Sequence, residues 1–257
     1  MKPLAELERA GIAGVLVDID ETLTTHGKLT AEAYAALERL QRAGKRVVPV
    51  TGRPAGWCDH IARMWPVDAV VGENGAFYFS FHDGRLHKRF HADAALLAEQ
   101  RARLDAVAAQ VLKSVPGCAL ASDQGYRATD LAIDYCEDVP PLSMGAAERI
   151  AAIMREAGLT AKISSIHVNG WLGSYDKLAM TRVLFAERFG TDLDAANPSL
   201  VFAGDSPNDA PMFAFFRNSV GVANVRRFEA LLAAKPKYVT QGESGAGFAE
   251  LAAHLLR

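Results

Sequence analysis

The stretch Val15-Leu16-Val17-Asp18-Ile19-Asp20-Glu21-Thr22-Leu23 decides how the rest of the chain is read. Three aliphatic residues lead straight into two carboxylates two positions apart, and then a threonine. Side chains alternate across a strand, so Asp18 and Asp20 share a side if the strand runs through them. The apolar run ending at Asp18 points instead to the chain leaving a sheet at a strand's C-terminal edge. Open α/β sheets gather their ligand sites at that edge. Two acids this close repel, and burying them is costly unless a cation or a proton lies between them. Alone, the stretch also reads as a strand end followed by an Asp-rich turn. The neighbouring elements decide.

Residues 30–44 read as an amphipathic helix, with Thr30 as N-cap, Ala35, Leu37 and Leu40 at helical spacing and Gly44 at the close. Residues 45–50 make a second apolar strand that runs into Thr51-Gly52-Arg53-Pro54, followed by a helix through Met64. Residues 67–71 are a third strand, ending in Gly72-Glu73-Asn74-Gly75-Ala76. This alternation argues for a parallel sheet with helices on its faces. After Tyr175 it returns. A helix ends at Gly190, a strand over 199–203 runs into Gly204-Asp205-Ser206-Pro207-Asn208-Asp209, and helices are expected at 211–216, 226–234 and 247–256.

The segment between has a different texture. Residues 77–90 read as a hairpin with an Asp83-Gly84 turn, and a long helix spans 92–113. Strands are expected at 118–122 and 130–135, a helix at 143–157, and strands at 161–168 and 171–175 turning at Asn169-Gly170. The order helix–strand–strand thus occurs twice, which suits an antiparallel α+β unit. The expected architecture is an α/β fold, a Rossmann-like doubly wound parallel sheet with an inserted α+β cap domain. Residues 1–76 and 175–257 form the core domain and residues 77–174 the cap.

Composition narrows the function classes. The 257 residues are half hydrophobic and 23% charged, an ordinary globular profile. A net charge of −2 gives no general attraction to nucleic acid or anionic membrane, so no partner of either kind is expected. No apolar run approaches the ~20 residues of a membrane span, and residues 1–13 lack the apolar core of a signal peptide. Cys58, Cys118 and Cys136 are odd in number and show no metal-type spacing, so a reducing, cytoplasmic setting is expected. The oligomeric state is left open.

Four polar clusters sit at element ends: Asp18 with Asp20 and Thr22; Thr51 with Arg53; Lys177; and Asp205 with Asn208 and Asp209. Acidic oxygens for a hard cation, beside a lysine, hydroxyls and amides for an anion, suit phosphoryl chemistry. There, positioning and charge neutralisation do most of the work. Singly, Lys177 reads as a solvated helix residue and Thr51-Gly52-Arg53 as a turn with a surface arginine. The ordered set of four is much harder to dismiss.

On these residues the chain resembles the haloacid dehalogenase superfamily of phosphohydrolases. The matching stretches are Asp18-Ile19-Asp20-Glu21-Thr22, Thr51-Gly52-Arg53, Lys177 and Gly204-Asp205-Ser206-Pro207-Asn208-Asp209. The place of the insert, its doubled pattern and the 72–76 loop are similar to the capped IIB subfamily of Cof-type, sucrose-phosphate and mannosyl-phosphoglycerate phosphatases. Glu21 departs from the glycine of many relatives, which is expected to alter the loop after Asp18 but not the chemistry. The resemblance implies a Mg²⁺-dependent phosphatase for a small phosphorylated metabolite, foremost a sugar phosphate. Asp18 is then the nucleophile that forms an aspartyl-phosphate, and Asp20 protonates the leaving oxygen and activates water. Thr51, with the amides around Gly52, holds phosphate oxygens. Lys177 offsets the shared negative charge, and Asn208 lies near the phosphate. Mg²⁺ falls to Asp18, the backbone carbonyl of Asp20, and Asp205, with Asp209 behind them.

Arg53, Glu73 and Asn74 face the cap from core loops as substrate contacts. His167 and Asn169 are expected to donate hydrogen bonds and Trp171 to stack on a sugar face. Trp171 reads equally as cap core behind a hairpin turn. A phosphomutase needs the same two Asp residues, and a catalytically silent binding protein keeps the same fold; both remain as alternatives.

Overall fold

A computed structural model describes residues 1–164 and 166–257. In chain order its elements are β1 (Lys2–Pro3), β2 (Gly14–Val17), β3 (Thr24–Thr25), β4 (Lys28–Leu29), α1 (Ala31–Arg42), β5 (Arg46–Pro49), α2 (Ala55–Met64) and β6 (Val70–Gly72). Next come β7 (Phe77–His82), β8 (Arg85–Phe90), α3 (Ala94–Ser114), β9 (Ala119–Leu120), β10 (Asp130–Asp134), α4 (Met144–Glu156), β11 (Thr160–Ile163) and β12 (His167–Trp171). The chain closes with α5 (Lys177–Phe189), α6 (Leu193–Ala196), β13 (Leu200–Gly204), α7 (Ala210–Phe215), β14 (Asn218–Gly221), β15 (Tyr238–Val239) and α8 (Ser244–Leu255).

The expected parallel sheet runs in the order β1-β15-β14-β13-β2-β5. Each residue of β2 is buried, as a strand covered on both faces requires. Val15 and Val17 join the cluster that includes Leu37 of α1 and Phe248 of α8, while Leu16 faces Leu184 of α5 and Met212 of α7. The α1 N-cap is the expected one, Thr30 Oγ1 accepting from Ala33 N at 3.3 Å. The chain leaves β2 toward β5 on one side and returns to pair β13 on the other. The C-terminal ends of β2 and β13 therefore form the switch point of the sheet, where a ligand crevice opens. Val17 lies opposite Ala203 in the register, which sets Asp18 and Asp205 at the same edge.

The second unit carries an antiparallel sheet in the order β11-β12-β10-β9. Leu104 and Val111 of α3 and Ile150 and Met154 of α4 pack on Leu131, Ile133 and Val168 in a separate apolar cluster. The doubled helix–strand–strand order is present as α3-β9-β10 and α4-β11-β12.

Three expectations are corrected. The hairpin β7–β8, expected to open the cap at residue 77, belongs with the core: β7 pairs antiparallel with β6, and Val71 bridges to Val50 beside β5. Phe77 and Phe79 enter one core cluster and Tyr78 the other, so the strand is buried on both faces. Residues 77–90 thus pair and pack with the parallel-sheet unit.

Asn169-Gly170 is not a turn; both residues lie inside β12, and the chain reverses between β11 and β12. A Cβ on Gly170 would stand 2.7 Å from Met154 Sδ and 3.0 Å from Leu159 Cδ2, so the glycine serves close helix-on-sheet packing. Residue 165, within the expected 161–168 strand, lies outside the described residues. The helix expected over 226–234 is instead a short 3₁₀ segment, Ala223–Phe228. Its Asn224 is drawn into the site described below, which places this backbone by polar contacts.

Candidate active site

Lys177 is the first helical residue of α5, whose N-cap Asp176 accepts from Ala179 N at 2.7 Å. From there its Nζ reaches Asp18 Oδ1 and Asp209 Oδ1, each at 2.8 Å. Carboxylate oxygens of Asp18, Asp205 and Asp209, all buried, lie within 4.8 Å of one another. Asp209 is held by the start of the 3₁₀ segment Pro207–Asp209, its Oδ2 accepting from Asp205 N at 3.2 Å and Ser206 N at 3.4 Å. Asp205 accepts from Thr22 Oγ1 at 3.3 Å and from Asn224 Nδ2 at 3.1 Å.

Lys177 pairs with Asp18 and Asp209, and burial raises the proton affinity of Asp18 and Asp205. Burial, with Asp209 and Asp20 adding to it and Lys177 opposing, pushes Asp18 up to about 7. Burial and the neighbouring Asp18 and Asp209 drive Asp205 well above the usual carboxylate range. Burial alone would lower Lys177, but Asp18 and Asp209 overcome it and hold the ammonium charged. Raised acids in a crevice mark a site poised for a cation. The donor set, hard carboxylate oxygens drawn together, fits Mg²⁺.

The side chain of Asp20 stands apart from this trio. Arg53 grips it through Nε at 2.9 and 3.1 Å and Nη2 at 2.7 Å. The same guanidinium reaches Glu137 at 3.2 Å and Asp123 at 3.6 Å from the cap. Asp18 and Asp20 nevertheless line one small cavity of about 30 Å³, shared with Gly52, Arg53, Asn74 and Asn208 from the core. Arg127, His167 and Asn169 close it from the cap. Thr51 lies fully buried beneath it, its hydroxyl accepting from Arg53 N at 3.0 Å. Asn74 stands at φ +56°, and its buried Nδ2 has no hydrogen-bond partner among the described residues. That leaves it a donor to spare at the cavity wall. Glu21 takes φ +54°, the left-handed region that glycine occupies at no cost, and its carboxylate accepts from Gly27 N and Ser244 Oγ at 3.3 and 3.2 Å.

Two of the loop and cap candidates do not line the cavity. Glu73 is fully buried and accepts from Ala55 N, Ala128 N, Thr129 N and Asp130 N at 2.6–3.2 Å, and from Thr129 Oγ1. It fastens cap to core. Trp171 is also fully buried and stacks on Tyr175 at 5.6 Å between ring centres.

Four contributors escaped the sequence reading: Arg127, Asp123, Glu137 and Asn224. Arg127 is paired with Asp123 and Asp130 and donates to Gly52 O at 3.1 Å. Glu137 lies 2.8 Å from His167 Nε2. Asn224 alone left a signal, lying three residues past the end of β14, where Asp18 and Asp205 directly follow β2 and β13.

A family of haloacid dehalogenase-like hydrolases matches residues 15–99. A phosphoglycolate phosphatase of Pyrobaculum neutrophilum is 31% identical over 244 residues, 93% of this chain and 94% of that protein. Among solved structures, protein 0175 of Thermoplasma acidophilum superposes with a TM-score of 0.71 at 16% identity, over 95% of this chain and 98% of the other. The sucrose-phosphatase of Synechocystis sp. PCC6803, solved with sucrose and phosphate, gives 0.65 at 18% identity over 95% and 98%. A subclass IIB sugar phosphatase gives 0.61 at 14% over 94% and 98%. The chain belongs to the haloacid dehalogenase-like hydrolases, as a phosphatase with the fold of subclass IIB.

Proposed function

We propose that the protein is a Mg²⁺-dependent phosphomonoester hydrolase acting on a small phosphorylated metabolite, a sugar phosphate, through an aspartyl-phosphate. The observation that carries this is Lys177 Nζ at 2.8 Å from both Asp18 and Asp209, inside a trio of acids short of positive charge. Asp18 and Asp205 would hold Mg²⁺ with the backbone carbonyl of Asp20, and Asp209 orients Lys177. The ion supplies charge neutralisation, without which a carboxylate and a phosphate dianion repel. Asp18 attacks phosphorus as the bond to the leaving oxygen breaks, and Asp20 gives that oxygen a proton. Asp20 then takes a proton from the water that attacks the aspartyl-phosphate, which releases phosphate and restores Asp18. Asn74 Nδ2 and the amides around Gly52 are the donors for phosphoryl oxygens. The odd cysteine count fits a cytoplasmic setting.

A second substrate reading, phosphoglycolate, is favoured by the Pyrobaculum relative and by an inner cavity of only about 30 Å³. The test of the chemistry is Asp18→Asn against wild type on a phosphomonoester panel with Mg²⁺. Loss of roughly a thousandfold or more in kcat is expected for removal of a nucleophile. Equal activity in the two proteins would overturn the assignment.

A further inference from the structure

We propose that the sugar ring of the leaving group binds outside the inner cavity, in a pocket on the face of α2, with Trp57 as its stacking platform. The inference rests on the phosphatase reading and adds the place and chemistry of the leaving group. The inner cavity, about 30 Å³ against about 460 Å³ for the pocket on α2, suits the phosphoryl group and not a sugar ring as well. A sugar attached to the phosphoryl group must therefore project beyond it. Asp20 and Arg53 form the wall through which it would pass. Behind them opens a pocket of about 460 Å³, within the ~300–1,000 Å³ of small-molecule sites. Asp20 lines both spaces, so the residue assigned to protonate the leaving oxygen stands where they meet.

The pocket is built from both domains. Trp57, His60 and Ile61 lie three and four positions apart on α2 and share a face, and Trp65 follows at the helix end. Thr24 and Leu29 of the β3–β4 flap contribute the opposite side. Tyr126 of the cap completes the rim, lying so close to Gly56 that a Cβ there would come within 2.9 Å of Tyr126 Cβ. Glycine at 56 is what lets the cap meet α2 over this opening. Trp57 and Tyr126 stay 41% and 62% exposed, large rings left accessible beside a catalytic acid. The Arg53 guanidinium stacks on Trp57 at 4.5 Å and steadies the indole against the site wall. Trp57 also lines the adjoining recess beside Lys28 and Glu137, so a ring entering by either side meets it. Aromatic walls with a few polar groups gathered at one side suit a molecule apolar on its face and polar at its edge, as a sugar ring is.

The experiment measures kcat/KM for a hexose phosphate and for phosphoglycolate, with Mg²⁺, in wild type, Trp57→Ala and Trp57→Phe. The hexose-phosphate to phosphoglycolate ratio is expected to fall about tenfold or more in Trp57→Ala, mainly through KM, as loss of a ring contact should produce. Trp57→Phe, which keeps a ring, should retain most of it. An unchanged ratio, or Trp57→Phe as damaging as Trp57→Ala, overturns the proposal. Wild-type turnover of phosphoglycolate without any hexose phosphate overturns it too, while leaving the phosphatase reading intact. No turnover of any phosphomonoester removes both.

Discussion

Two buried charge clusters lie within one site, and they are built on opposite terms. At the strand ends, Asp18 and Asp209 share Lys177, with the Asp205 carboxylate drawn close to both. At the seam between cap and core, Arg127 is paired with Asp123 and Asp130, Arg53 with Asp20 and Glu137, and Glu73 is enclosed by protein donors. Proton affinities follow. Asp18 is pushed to about 7 and Asp205 well above its usual range, whereas contact with His167 and then Arg53 pulls Glu137 down to about 2. Burial still lifts Asp130 to about 6 despite Arg127, so the seam is not free of cost. The contrast separates acids whose donors come from the protein, which fix its shape, from acids whose compensation must come from outside.

The largest effect that tests this contrast belongs to Glu73. Glu73→Ala would leave four backbone amides and a hydroxyl without their acceptor, two of those amides and the hydroxyl being buried. Removing one side of a buried charged network costs roughly 3–5 kcal/mol. Urea denaturation should read that loss. A loss of under about 1 kcal/mol, the value of one exposed pair, would mean the seam is not what holds the cap.

The same contrast explains what the sequence could convey. The meeting of 18–22, 51–53, 177 and 204–209 at one place was legible because each cluster follows a short apolar run or opens a helix, and a parallel sheet aligns such ends at one edge. The cap was harder, because one misplaced turn changes which face every neighbouring side chain takes. With Asn169-Gly170 inside β12, His167, Asn169 and Trp171 lie on one face by alternation. The first two reach the cavity, and the third ends under Tyr175. The asparagine–glycine pair carries a turn signal that only the nearness of Met154 overrides. Arg127 and Glu137 have no local pattern at all. Their partners are set by how the cap rests on the core.

Next in size is the response to metal. Asp18 at about 7 lies above its ordinary 3.8, so between those two values the fold holds a proton that the unfolded chain has released. That contribution is present below about 4 and is lost as pH rises through 7. Mg²⁺ needs the deprotonated acids, so its stabilisation should grow across the same window. At a concentration one hundred times its dissociation constant an ion adds about 2.7 kcal/mol. Thermal melts with and without Mg²⁺ at pH 8 and pH 5 should show a clear rise in Tm at the first and a much smaller one at the second. Asp205→Asn should abolish most of the gain. Equal gains at both pH values would mean the deficit is not met by a metal at these acids.

The smallest effect belongs to Glu137, partly open to solvent, where screening limits any ion pair. Its carboxyl lies below its ordinary 4.5, at about 2, so its contribution is complete above 4.5 and lost as pH falls toward 2. Glu137→Gln should therefore cost no more than about 1 kcal/mol at pH 7. The difference from wild type should shrink at pH 3, where urea midpoints of the two proteins approach each other. A gap that stays constant from pH 7 to pH 3 would mean Glu137 acts by packing, and the seam would then owe its strength to Glu73 and Arg127 alone.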